Sequence, residues 1–267
     1  MQKIVLITGG SKGIGKATGE FLTTKGYKVY GTSRDPEKIN NHSFPLLKLD
    51  VTDLHSIKSC IDGLKSKEGR IDVLINNAGA GITGAIEEVP DAELRRNFET
   101  NLFGPIAVMR EVIPLMRTQG NGLIINVTSI AGYMGLPYRG VYSASKGALE
   151  LLSEAVSMEV KPYGIEVVNF APGDVATDIA SGRYHVPLNK KSPYYSTYKN
   201  TLELMDNHVD SGRDPLIIAR ALHHIIGSKN KKLHYKVAQP LQKFSIVLKR
   251  ILPDRWYERM LMNHYKM

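Results

Sequence analysis

Short apolar runs alternate with longer amphipathic stretches along most of this chain. Lys3 to Thr8, Tyr27 to Thr32, Leu46 to Val51, Asp72 to Ile75, Leu123 to Val127, Ile165 to Phe170 and Leu233 to Val237 read as strands. Between them lie helical patterns. One follows Gly15 to about Lys25, and another covers Asp53 to Lys67 with Leu54, Ile57, Ile61 and Leu64 on one side. A third runs from Asp91 to about Arg117, with an interruption expected near Gly104-Pro105. Ala148, Leu149, Leu152, Ala155 and Val156 continue the pattern beyond Gly147, and Pro215 to Ile226 forms a further helix. Strands alternating with helices predict an α/β fold, its parallel sheet covered by helices on both faces. Residues 178–213 have no strong period and are rich in Tyr, Lys and Ser, which predicts a long surface loop or lid for a substrate. With no linker and no repeat, residues 1–267 read as one domain with a basic extension at 238–267.

Composition narrows the class. Apolar content of 42% and charged content of 23% are ordinary for a globular chain. One cysteine, Cys60, excludes an internal disulfide and suits a reducing compartment. The chain enters an apolar strand directly after Met1-Gln2-Lys3 and has no run of 18 apolar residues, so a cytoplasmic protein is expected. The net charge of +9 sits almost wholly at the end: from Lys229 to Met267, ten Lys/Arg face only Asp254 and Glu258. Neither a basic groove nor aromatic stacking motifs accompany it, so no nucleic-acid partner is expected.

Four local patterns carry chemistry. The first strand runs into Gly9-Gly10-Ser11-Lys12-Gly13-Ile14-Gly15 and then a helix, the arrangement that sets a pyrophosphate against free helix N–H groups. The second strand ends at Ser33-Arg34-Asp35. A guanidinium there suits a 2′-phosphate, Lys12 adds a second charge, and NADP is expected over NAD. The other reading leaves Arg34 solvated and gives the ribose to Asp35. Asn76-Asn77-Ala78-Gly79 closes the fourth strand at the edge where open α/β sheets bind ligands, although Asn77 also suits a bond between strands. Finally, Tyr142 and Lys146 lie one helical turn apart, downstream of Ser129. An ammonium one turn away favours the phenolate, and a serine hydroxyl can hold a carbonyl or carbinol oxygen. Taken alone, Tyr-x-x-x-Lys also suits a solvated helix face.

With Thr8-Gly9-x-x-x-Gly13-x-Gly15, Asn76-Asn77-Ala78-Gly79, Asn101, Ser129, Tyr142-x-x-x-Lys146 and Pro172-Gly173 in order, the chain resembles the short-chain dehydrogenase/reductase family over roughly residues 3–180. The resemblance implies a Rossmann fold with a seven-stranded parallel sheet and a nicotinamide cofactor. It makes Tyr142 the general acid/base, with Lys146 lowering its pKa and holding the nicotinamide ribose. Ser129 fixes the substrate oxygen, and Asn101 supports a water relay to the lysine. Cofactor contacts carry over to Thr8, Gly9, Ser11, Lys12, Gly13, Ile14, Gly15, Ser33, Arg34, Asp50, Val51, Asn77, Ala78, Gly79, Tyr142, Lys146, Pro172, Gly173, Val175 and Thr177. No metal is assigned.

Val29 to Asp35, Leu49 to Asp53 and Met134 to Tyr138 look like the hydroxysteroid (17β-type) and retinol dehydrogenase branch, and enzymes reducing lipid ketones look similar. The resemblance thus implies an NADPH-linked carbonyl reductase, or its reverse, acting on a hydrophobic ketone or alcohol read by Gly135, Leu136, Pro137 and Tyr138. It also implies a homodimer or homotetramer. A non-catalytic dinucleotide sensor and a membrane-surface adaptor are the competing readings, since fold does not fix function. In the tail, Leu241, Phe244, Leu248, Ile251 and Leu252 follow a helical period up to Pro253. That face suits peripheral contact with an anionic membrane, or packing over the substrate pocket or a subunit interface.

Overall fold

In the computed structural model, which describes residues 2–40, 42–175, 183–210 and 212–267, with backbone alone at 206–210, strand β1 (Ile4–Ile7) serves two cores at once. Ile4 and Leu6 point to one face of the sheet, Val5 and Ile7 to the other. The same division recurs in β4 (Val73–Asn76), β6 (Gly122–Val127) and β7 (Ile165–Pro172), which explains why these strands read as continuous apolar runs. Helices α2 (Leu54–Glu68), α4 (Gly104–Gln119) and α5 (Gly140–Val160) cover the first face. The second is covered by α1 (Gly13–Thr24) and α7 (Pro215–Gly227). Each fully buried Ile or Leu in these layers is worth about 1.5–3 kcal/mol.

The sheet has seven parallel strands, completed by β2 (Lys28–Ser33), β3 (Leu46–Lys48) and β9 (His234–Val237), in the order β3-β2-β1-β4-β6-β7-β9. The chain turns one way from β1 and the other way from β4, so a crevice opens at the carboxyl ends of these two strands. Local signals set the helix ends. Asp53 caps α2 by accepting from the His55 and Ser56 amides, and Gly69 closes it in a left-handed conformation.

The structure sharpens one expected feature and overturns another. The helical stretch from Asp91 is α3 (Asp91–Phe98), a π turn (Glu99–Phe103) and α4. The π turn abuts Gly104-Pro105 and contains Asn101, so the interruption lies where it was expected, with Pro105 in the first turn of α4. The segment expected to be a loop, 178–213, contains β8 (Tyr184–His185), paired with β5 (Ile82–Thr83), and helix α6 (Tyr195–Asp210). Tyr198, Thr201 and Met205 are buried along one side of α6, so a helical period is present but written in residues that look like surface. The basic tail forms α8 (Pro240–Ile251) and α9 (Asp254–His264), broken at Pro253 as expected.

Candidate active site

The crevice begins at the glycine turn between β1 and α1. Gly9 and Gly13 have φ of 65° and 54°, left-handed values that favour glycine. A Cβ on Gly15 would lie 2.2 Å from the Gly9 carbonyl oxygen and 2.6 Å from Asn77 Nδ2. Backbone therefore fills the space a side chain would take. Lys12 occupies the N-cap without a side-chain cap, and the first turn of α1 has no acidic residue. This cradle fits a pyrophosphate, which would accept from the free N–H groups at the helix start.

The ends of β1 and β4 are tied together by their polar residues. Thr8 Oγ1 accepts from the Asn77 and Ala78 amides, both at 3.0 Å. Asn77 Nδ2 donates to the carbonyls of Thr8 and Gly9, also at 3.0 Å. Ser33 and Arg34 stand at the end of β2, with Arg34 exposed. Asp50 Oδ1 accepts from the Thr52 amide and hydroxyl, and Val51 packs against Gly104. Thr177 lies outside the described residues.

Tyr142 and Lys146 are on the first two turns of α5. Lys146 is 4% exposed, and its Nζ donates to the Val127 carbonyl at 2.9 Å. Burial lowers its pKa to about 8, opposed by the negative charge of Glu150 one turn further on. Asn101, in the π turn, is fully buried: its Oδ1 accepts from the Ala80 amide at 2.8 Å and its Nδ2 donates to the Ala80 carbonyl at 2.9 Å. A Cβ on Gly79 would meet Asn101 Oδ1 at 3.2 Å and Lys146 Nζ at 3.4 Å, so these three groups converge. A π turn at a functional residue is a common use of that geometry. Ser129 lies two residues beyond β6 and caps the short 3-10 turn Ile130–Tyr133, its Oγ accepting from the Ala131 amide at 3.2 Å.

Ser129, Tyr142, Lys146, Asn77, Gly79 and Gly173 all line one cavity of 110 Å³, together with Ile14, Pro172 and Val175. The carboxyl end of the sheet thus gathers a phenol and an ammonium from α5 and a hydroxyl from the segment after β6. Such a set can hold a carbonyl oxygen and exchange a proton with it.

Arg139 ends the segment Gly135 to Arg139 in which the substrate is expected to be read, whereas Glu150, Tyr133 and His234 escaped the sequence reading. Arg139 sets its guanidinium over the Tyr142 ring, 5.5 Å from the centroid, and lines the same cavity. Glu150 lies behind Lys146, almost fully buried, and accepts from the Tyr133 hydroxyl. Burial and the Glu150 carboxylate together push the Tyr133 phenol well above its ordinary range. His234 Nδ1 is 2.8 Å from the same carboxylate, and one register line across the sheet joins Asn76, Asn126, Asn169 and His234. Glu150 was visible as the next helical turn after Lys146, whereas its partner His234 is 84 residues away and depends on the pairing of β9.

Of the expected substrate residues, Leu136 lines a second cavity of 310 Å³ with Ser129, Met134, Leu248, Met260 and Leu261. Tyr138 lines a third of 270 Å³, again with Leu136, beside Val141 and Tyr194. Gly135 and Pro137 line neither. Tyr138 adopts φ 56°, held by an edge-on ring contact with Tyr194, a tilted one with Tyr198 and a 2.5 Å bond to the Thr197 hydroxyl.

Comparison with known proteins matches residues 3–185 to the short chain dehydrogenase profile. The chain is 38% identical over 264 residues to a 3-ketodihydrosphingosine reductase of Bacteroides thetaiotaomicron, covering 98% of each chain. It is 29% identical to an NADPH-dependent 3-dehydrocapnine reductase of Ornithobacterium rhinotracheale, covering 99% of this chain and 98% of the relative. Among solved structures, a short-chain dehydrogenase from Streptomyces avermitilis superposes with a TM-score of 0.83 at 30% identity, over 99% of this chain and 97% of the other.

Proposed function

The chain belongs to the short-chain dehydrogenase family, and we propose that it is an NADPH-linked reductase converting a hydrophobic ketone into a secondary alcohol. The observation that carries this reading is the junction of two cavities. The polar pocket holding Tyr142 and Lys146 shares Ser129, Arg139 and Asp174 with the 310 Å³ cavity, whose far wall is apolar. That volume lies at the lower end of small-molecule sites, which span about 300–1,000 Å³. A carbonyl beside Ser129 would thus have its hydrocarbon part in Met134, Leu248, Met260 and Leu261.

When bound, the nicotinamide supplies hydride to the carbonyl carbon. The Ser129 hydroxyl donates to the carbonyl oxygen and fixes it, while the Tyr142 phenol delivers the proton that the developing alkoxide needs. The Lys146 ammonium stabilises the phenolate left behind, and Asn101 holds the backbone at Ala80 that frames the lysine. Relatives named as reductases of 3-ketodihydrosphingosine and 3-dehydrocapnine support the reductive direction.

Choice of NADPH rests on charge. Arg34 is exposed at the end of β2 with no ion pair among the described residues, while Asp35 is engaged by Lys38 at 3.5 Å. Lys12 is exposed at the start of α1. Both cations suit a 2′-phosphate. The name of the NADPH-dependent relative supports the same choice. Exposed Leu151 and Met158, seven residues apart on α5, support self-association of copies through that helix face. Cytoplasmic residence is part of the proposal, and no helix among the described residues is long and apolar enough to cross a membrane.

The test is NADPH oxidation with a ketone panel graded in chain length. Turnover should rise with apolar length and fall about 100-fold or more in Tyr142→Phe. Undiminished turnover by that variant would sink the chemistry, and tighter binding of NADH than NADPH would sink the reading of Arg34.

A further inference from the structure

Helix α8 is apolar on two sides. Its inner side places Ile246 against Met134 and Tyr257 in a third, small core cluster, where the Tyr257 hydroxyl reaches Met134 Sδ at 2.9 Å. Its outer side carries Leu241, Phe244, Val247 and Ile251, which are 73, 52, 49 and 68% exposed. Steps of three, three and four make these one stripe along the helix. Trp256, 68% exposed, extends the apolar surface into α9. The tail therefore covers the cavity with one face and still presents a second apolar face outward. Contiguous apolar surface of this kind on a soluble fold marks an interaction site.

Two further observations identify its partner. Leu241 and Phe244 belong both to the stripe and to the lining of the 310 Å³ cavity, so the stripe borders the cavity mouth. The tail that carries it is cationic: from Pro240 to Met267 there are six Lys/Arg against Asp254 and Glu258. The two carboxylates are engaged by Lys249 and Arg255, leaving Lys243, Arg250, Arg259 and Lys266 exposed without ion pairs among the described residues. A second copy docked through the same patch would set like charges against each other. An anionic bilayer complements both the charge and the apolar stripe.

We propose that the outer face of α8 and the start of α9 dock on an anionic lipid bilayer, with the stripe in the acyl boundary and the cations at the head groups. The cavity mouth then faces the membrane, and a lipid ketone enters from the bilayer without crossing water. The entry step rests on the reductase reading, while the docking does not.

Co-sedimentation of the full chain with vesicles tests it, using phosphatidylcholine alone and phosphatidylcholine with about one-third phosphatidylglycerol. Binding should be at least about tenfold stronger on the anionic vesicles at low salt and be lost at high salt. The double variants Val247→Ser/Ile251→Ser and Lys243→Glu/Arg250→Glu should each lose about tenfold or more. Neither touches the cavity lining, so turnover of a short soluble ketone should stay at the wild-type level. Failure of the wild type to sediment, or undiminished binding by both variants, would overturn the proposal. So would conversion of a dimer to a monomer by Val247→Ser/Ile251→Ser in sedimentation velocity, because a second copy would then cover the stripe. Vesicle binding without turnover of any ketone would leave the docking standing and remove the reductase reading.

Discussion

A lysine with 4% exposure is costly to keep charged, and Lys146 shows both sides of that cost. Its Nζ has the Val127 carbonyl as a partner and the Glu150 charge nearby, yet its pKa falls to about 8 from an ordinary 10.5. Below pH 8 both folded and unfolded chains hold the proton, and the buried charge weighs fully against folding. Between pH 8 and 10.5 the unfolded chain binds the proton more tightly, so this group's contribution to stability rises with pH. Activity should move in the opposite direction. In the proposed reduction, loss of the ammonium would remove what stabilises the Tyr142 phenolate, so kcat/KM should fall as pH passes about 8. Lys146→Met should lower turnover about 100-fold or more. Its stability at pH 7 should change little, because relief of the buried charge offsets about 1–3 kcal/mol for the orphaned Val127 carbonyl. A pH–rate profile and denaturant melts at two pH values check these opposite trends; a wild-type profile flat from pH 7 to pH 10 would contradict them.

At the scale of elements, what was legible in the sequence was what is local. Tyr142 and Lys146 share one helix, and Gly9 to Gly15 share one turn, so spacing alone brought them together. Gly104-Pro105 marked the interruption of the long helical stretch, but not that it takes the form of a π turn with Asn101 bonded to Ala80. Helix α6 was missed because Tyr198 and Thr201, two of its buried positions, do not read as apolar, and the place of Arg139 across the Tyr142 ring is set only by the fold. Thr8 and Asn77 were read as cofactor contacts, and their bonds to each other's backbones hold the turn in shape. That rigidity makes the turn sensitive to one methyl group. Gly15→Ala would bring a Cβ to 2.2 Å from the Gly9 carbonyl, which must move. NADPH affinity should drop at least about tenfold, since each 1.4 kcal/mol of lost contact is a factor of ten. The fold should persist because the cores on both sheet faces are untouched. Fluorescence titration of NADPH with circular dichroism separates the two effects; native affinity in Gly15→Ala would show that the phosphates bind elsewhere.

The whole molecule divides into a sheet with two large cores and a tail fastened by a small one. Both large cores run through β1, β4, β6 and β7, so opening either exposes the other. The third cluster has only Met134, Ile246 and Tyr257 at its buried centre, supported by Leu136, Leu248 and Leu261. Polar ties to the body are few among the described residues: Gln242 Nε2 donates to Asp174 at 2.6 Å, the Ser245 and Tyr257 hydroxyls reach Met134 Sδ at 3.6 and 2.9 Å, and Tyr265 bonds to Arg139. Elements that must part to admit a substrate are drawn from the less stable end of a structure. The tail should therefore open on its own, well before the sheet. Ile246→Ala removes a buried side chain at its centre, a change that costs about 2–5 kcal/mol in well-packed sites. If α8 and α9 open as a unit, hydrogen exchange in both helices should accelerate by about tenfold or more, while β1, β4 and β6 exchange at the wild-type rate. The thermal midpoint of the sheet should move little, since the mutation acts on a sub-global opening. Equal acceleration in the tail and in the central strands would mean one cooperative unit, and a cavity that cannot open without unfolding the enzyme.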